Sequence, residues 1–180
     1  MNLTIRALLG VMAFVTVPIL AGCGGSSTSL PDPQPPFVSA ALPDGLTATL
    51  AEDRSSIAVG GVVTYTLALT NDTAQPITYR PVISGPAPSG NVPATLLVKD
   101  AGGGTVFPAG ALPQFVAIGP STTLAPGQSV SGTLAVGGND QGRYSASGRY
   151  NASAAFSVQT GQDSSSLETV TAGPLPVDAQ

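Results

Sequence analysis

Between Val62 and Thr70, apolar and polar positions alternate without a break. Val63, Tyr65, Leu67 and Leu69 interleave with Thr64, Thr66, Ala68 and Thr70. A period of two places one set inward and the other in solvent, which predicts a strand. Asn71-Asp72 ends the run and suits a turn. Ile77–Ile83 follows as a second strand, with Ile77, Tyr79 and Val82 as core positions. Pro81 removes one ladder donor, so this strand is expected at an edge or broken there. Thr95–Asp100 and Thr105–Phe107 read as a hairpin across Ala101-Gly102-Gly103-Gly104, whose glycines supply the positive φ of a tight turn. Ser129–Val136 alternates again. A turn at 137–142 should follow, with Arg143–Tyr150 returning and Ala152–Val158 extending or following it. Leu46–Leu50 and Ser56–Val59 supply the first strands.

No segment sustains a helical period over three turns. The pattern predicts an all-β chain: an immunoglobulin-like antiparallel β-sandwich of about seven to nine short strands. The sandwich is expected over 37–160. The stretch 161–180, polar and weakly patterned, is expected to be a partly ordered tail.

The amino-terminal part follows a different logic. Arg6 precedes the uncharged apolar stretch Ala7–Ala21, which closes on Leu20-Ala21-Gly22-Cys23. A positive end, a short apolar segment and small residues before a cut describe an export signal. The stretch is shorter than the roughly 20 residues of a spanning helix, and Gly10, Thr16 and Pro18 interrupt it. Cys23 is the sole cysteine, so no disulfide can form within the chain.

Leu-Ala-Gly-Cys resembles the lipobox of bacterial lipoproteins. The resemblance implies a signal peptide at 1–22, lipidation of Cys23 and attachment to a membrane through it. Gly24, where Asp often marks inner-membrane retention, favours the outer membrane in a host that has one. The segment 23–36, ending Leu-Pro-Asp-Pro-Gln-Pro-Pro, is expected to be a disordered, lipid-anchored linker that stiffens towards its prolines.

Composition narrows the chemistry. Charged residues are 9% of the chain, well under the usual ~25%. From Cys23 onward, five basic residues stand against ten acidic ones, a net charge of −5 before the termini. The basic residues Arg54, Arg80, Lys99, Arg143 and Arg149 are scattered, so no nucleic-acid footprint is present. The chain has no histidine. That removes His-dependent nucleophile activation and the common metal and haem ligands. No catalytic residue, cofactor or metal is expected.

From Ser56 to Val158, several segments stand in the order of a known family. They are Val63-Thr-Tyr-Thr-Leu-Ala-Leu-Thr-Asn71 with Pro76-Ile77-Thr78, then Leu97-Val98-Lys99-Asp100-Ala101-Gly102. Leu124-Ala-Pro126-Gly127-Gln128-Ser129 and Gly142-Arg143-Tyr144-Ser145-Ala146 complete the series. This resembles the intracellular proteinase inhibitor (BsuPI-type) family, itself an immunoglobulin-like sandwich. Two positions depart from it. Phe107 stands where the family often has tryptophan, and Leu134-Ala135-Val136 lacks an aromatic residue. The resemblance implies a sandwich and, more sharply, proteinase inhibition.

Most eye-catching residues have plain structural roles. Asp100 before glycines should bond turn amides. Gly102-Gly103-Gly104 lacks the Lys-Ser/Thr of a phosphate loop. Gly137-Gly138-Asn139-Asp140 offers one carboxylate, too few for calcium. Glu52 and Asp53 are neighbours on a strand and face opposite ways. Lys99, the sole lysine, reads as a solvent-facing strand residue.

The proline-bearing loops at 84–94 and 108–120 are the candidate partner-binding elements, because a stiff loop loses little entropy on binding. Arg80, Pro86, Pro88, Phe107, Pro113 and Phe115 are the residues singled out. The expectation is a non-enzymatic, lipid-anchored module that binds another envelope protein or a protease. The alternative is a small-ligand or carbohydrate-binding module at the cell surface.

Overall fold

The alternation at Val62 becomes a ten-residue strand whose inward side chains Val63, Tyr65, Leu67 and Leu69 are fully buried. A computed structural model of the chain describes residues 35–86, 88–109, 116–137, 144–160 and 166–180. They lie within one compact unit, Pro33–Gln180. Among the described residues there are twelve strands and a single 3-10 turn, more strands than the seven to nine expected. Cys23 and the linker up to 34 lie outside the described residues.

The first sheet is antiparallel throughout. It orders β1 (Phe37–Ala41), β2 (Leu46–Glu52), β4 (Val62–Asn71) and β10 (Ser129–Gly137). The second is built around β11 (Gly148–Thr160). One edge of β11 carries β12 (Ser166–Ala179) along its length. The other edge is shared by β6 (Ala94–Asp100) and then β5 (Ile77–Ile83). Four short strands complete this layer. β7 (Thr105–Phe107) joins β6, β8 (Ala117–Ile118) and β9 (Thr122–Leu124) join β5, and β3 (Ser56–Ile57) runs parallel to β12.

The core fills the space between the layers. Leu46, Leu50, Tyr65, Leu67, Leu96 and Phe156 are its fully buried larger members. The fold is an all-β, immunoglobulin-like antiparallel sandwich. A tyrosine corner supports that description. Tyr150, near the start of β11, donates from its hydroxyl to the Ala146 carbonyl at 3.0 Å and accepts from the Ala146 amide at 3.3 Å.

Three expectations need correction. The partly ordered tail expected over 161–180 is a strand from Ser166 to Ala179, the longest among the described residues. Its inward positions are Val170 and Ala172 on one side of Gly173-Pro174, then Leu175, Val177 and Ala179 on the other. The phase shifts there, opposite the register irregularity at Ala152/Ala154. A search for unbroken period two passes over it.

The segment after β10 does not return as a hairpin. β10 pairs with β4 in the first sheet, and β11 belongs to the second. Nor is β5 an edge strand. It lies between β11 and the short β8 and β9, and it changes partners around Pro81. Pairing with β11 ends at Pro81 and pairing with β8 begins at Val82, so the missing donor falls at the exchange. The Pro81 carbonyl accepts from Gly119 N–H at 2.9 Å.

The proline-bearing loop after β5 covers the open side of β10. Thr133 N–H donates to Ser89 Oγ at 2.9 Å. Contact between the two backbones is so close that a Cβ on Gly132 would overlap the Ser89 carbonyl oxygen. Covering a terminal strand in this way blocks its use as a template for another chain. Gly132→Ala should therefore cost about 1–3 kcal/mol and lower Tm by several degrees in a thermal melt, whereas the neighbouring exposed Ser131→Ala leaves Tm unchanged.

Candidate functional site

Several conspicuous polar residues hold loops together. Asn71, fully buried, donates from Nδ2 to the carbonyls of Gln75 and Leu124 at 2.8 and 2.9 Å. Its Oδ1 accepts from Thr73 N–H at 2.9 Å and from Thr73 Oγ1 at 2.7 Å. Every polar atom of that side chain is satisfied, which makes Asn71 a peg between the two layers. Asp100 behaves as expected for a turn residue: its Oδ1 accepts from Gly104 N–H at 2.7 Å.

Glu52 is different. It ends β2 on the inward side and is 1% exposed. Neither carboxyl oxygen has a hydrogen-bond partner among the described residues. Across the ladder it stands opposite Tyr65. The hydroxyls of Tyr65 and Tyr144 are 2.6 Å apart, and the Tyr144 ring meets Tyr150 edge-on with centroids 4.9 Å apart. Burial, helped by the negative charge of Asp53, pushes the Glu52 carboxyl up to about 7. Burial likewise raises the Tyr65 hydroxyl and lifts that of Tyr144 to about 12. Asp53 itself faces outward, accepting from Thr64 N–H at 2.9 Å and pairing with Arg54 at 2.9 Å. Enclosure keeps the Glu52 carboxyl away from any substrate, so the group bears on stability and not on turnover.

The residues singled out from the sequence do not assemble into one surface. Phe107 is 3% exposed and belongs to the core, because its position in β7 points inward against Val98 in the hairpin ladder. Pro88 is buried and Pro86 half-buried, in the loop that covers β10. Arg80 is half-buried and donates from Nε to the Gly119 carbonyl at 3.3 Å, bracing the β8 segment. Pro113, Phe115 and Cys23 lie outside the described residues.

What the structure offers instead is a trough on the outer face of the second sheet. Inward positions of β6 and β11 are Leu96, Val98, Ala152 and Ala154. The alternate residues face out: Leu97 and Lys99 on β6, and Asn151 and Ser153 on β11. Ladder pairing sets Lys99 beside Asn151 and Leu97 beside Ser153. β12 adds Thr171, and Pro174 stands beyond it. Two adjoining hollows of about 380 and 250 Å³ follow this face. One is closed by the Asp100–Gly103 turn, and the other reaches Ser84. The first falls within the roughly 300–1,000 Å³ of ordinary small-ligand sites.

The floor is recessed because Ser153 and Ala155 are small. The Thr95 hydroxyl donates to the Ser84 carbonyl and ties down the far end. Sequence reading missed this site because the facing residues of β6 and β11, Leu97 with Ser153 and Lys99 with Asn151, lie more than fifty residues apart in the chain. Only the register of β11 with β6 and β12 brings them together.

No family model matches the chain, and no curated protein does. Among solved structures, it is similar to the C-terminal domain of Wzt at 8% identity and a TM-score of 0.38. That match covers 82% of this chain and 79% of the other. It is also similar to the β-glucosidase EmGH1 from Erythrobacter marinus at 13% identity and a TM-score of 0.32. That match covers 81% of this chain and 16% of the other. At these values neither likeness bears on ligand or activity.

The buried carboxyl gives a pH prediction. In the unfolded chain Glu52 releases its proton near 4.5, while in the fold it keeps it to about 7. Its contribution to stability is whole below 4.5 and is lost as pH rises through about 7. The loss amounts to about 3 kcal/mol, flat above that window. Glu52→Gln should remove most of this pH dependence and melt higher than the parent at pH 8. Chemical denaturation at pH 4.5 and 8 checks both. Equal slopes for parent and variant would count against a buried, titrating Glu52.

Proposed function

We propose that the chain is a lipid-anchored, non-enzymatic binding module of the cell envelope, tethered through Cys23. Its recognition surface is the outer face of the second sheet. The observation that carries the binding part is the recessed trough on that face, lined by both polar and apolar residues. It is a preformed surface on paired strands, so little ordering cost attends binding. The anchoring part rests on Arg6, the apolar stretch and Leu20-Ala21-Gly22-Cys23. A diacylated or triacylated cysteine holds firmly, since each buried methylene contributes about 0.8 kcal/mol and one chain alone is marginal. The absence of histidine and the enclosure of Glu52 both argue against turnover.

Proteinase inhibition is the sharper version implied by the BsuPI-type motifs. Its support is limited to those motifs; among the described loop residues, Phe107 belongs to the core and Pro88 is buried. Export, with the outer membrane favoured by Gly24 in a double-membrane host, belongs to the same proposal.

Two measurements test it. Labelled palmitate should enter the parent chain and not Cys23→Ser, and the parent should fractionate with membranes. A photocrosslinker at Thr171 should capture a cell-envelope component that one at Ser131 does not. Failure of the label removes the anchor. Equal capture from both positions removes the trough as the contact face. Subtilisin-like proteases left fully active by excess protein would remove the inhibitor version alone.

A further inference from the structure

We propose that the trough across β6, β11 and β12 is a site for a saccharide segment bearing a carboxylate, a uronate in chemical terms. The inference rests on reading this face as the binding surface and names its ligand class. Three features of the trough select the class.

The first is backbone saturation. β11 is paired on both edges here, with β6 from Tyr150 to Phe156 and with β12 over the same stretch. Extended peptides usually bind a sheet through its free edge, by main-chain hydrogen bonds. β12 is paired on its outer edge only at Asp178 and Ala179 among the described residues. The trough lies on the face of the sheet and not at that edge, so recognition there comes from side chains. Those side chains are polar and short: Asn151 offers an amide and Ser153 and Thr171 offer hydroxyls. Such a set matches a ligand rich in hydroxyl groups.

The second is the pairing of opposite charges at one end. Lys99, the sole lysine of the chain, lines the hollow and enters no ion pair among the described residues. Asp100 lines the same end, and its Oδ1 is held by Gly104 N–H at 2.7 Å. An ammonium receives a carboxylate, and the carboxylate of Asp100 accepts from a sugar hydroxyl. A uronate carries both partners on one ring. A purely acidic peptide would satisfy Lys99 but offer Asp100 no hydroxyl donor.

The third is the lining itself. Leu97, Ala101 and Pro174 are its apolar members, and no aromatic ring is among the lining residues. A neutral sugar therefore has no ring to stack on and must rely on hydrogen bonds that compete with water. Charge is what makes the site selective. The domain is acidic overall, yet its field is screened beyond about 8 Å at physiological salt, so Lys99 governs its own neighbourhood.

The test uses the full chain in detergent micelles, titrated calorimetrically with trigalacturonate, its methyl ester and triglutamate. Trigalacturonate should bind. The methyl ester and triglutamate should each bind at least ten-fold more weakly. Lys99→Met should weaken trigalacturonate at least ten-fold, and Ser153→Phe, which fills the floor, should do the same. Arg149→Met, removing an exposed cation paired with Asp178 elsewhere, should change nothing. Circular dichroism of each variant confirms the fold. Absence of binding, equal binding of the ester or of triglutamate, or a Lys99→Met chain that binds like the parent would each overturn the assignment. None of these results touches the anchor or partner capture, which palmitate labelling and crosslinking decide separately.

Discussion

The double-sided pairing of β11 is the constraint on which the sandwich depends. Its thirteen residues are held by β12 on one edge and by β6 and β5 on the other. The middle of the strand is small on both faces: Ala152 and Ala154 point into the core, and Ser153 and Ala155 point out. Inward, small side chains leave room for Tyr65, Leu50 and Phe156 in a core that has no tryptophan. Outward, they recess the sheet surface. Core packing and the trough are two consequences of one residue pattern, which explains why a hollow forms on an otherwise ordinary sheet face.

How far the sequence reveals this depends on where the information is local. β4, β10 and the β6–β7 hairpin were legible because alternation and turn chemistry sit within ten residues of each other. The fold class followed from them. β12 was not legible, since the Gly173-Pro174 step moves its inward set from even to odd positions. The crossing from β10 to β11 was equally hidden: a turn-rich segment looks alike whether the chain returns to its own sheet or passes to the other. The trough needed the register of strands distant in the chain, which no local pattern encodes. Asp100, whose bond to Gly104 lies within its own turn, was read with its structural role intact, whereas Asn71 was read as a turn residue and its bond across to Leu124 was not.

Glu52 marks the limit of the alternation argument in the other direction. Period two correctly sets Glu52 and Asp53 on opposite faces, but charge suggests that both should reach water. The strand continues its inward phase to the last residue, so the carboxyl follows Leu46, Ala48 and Leu50 into the interior. Solvation opposes this placement, and protonation relieves the conflict: a neutral carboxyl costs far less to enclose than a carboxylate. The neighbouring tyrosine hydroxyls bond to each other, and neither bonds Glu52. Local patterning and electrostatics disagree here, and the fold resolves the disagreement by a proton instead of a rearrangement.

The chain enters the sandwich at Pro36–Phe37, where Glu52 N–H donates to the Pro36 carbonyl at 3.1 Å. That entry belongs to β1, at the edge of the first sheet. β1 also lies against β12, whose Thr171, Gly173 and Pro174 line the trough on the second sheet. A face built on paired strands also keeps its shape without a ligand, and its affinity then turns on a few side chains. For a surface this poor in charge, the proposed preference rests on one lysine set beside one aspartate.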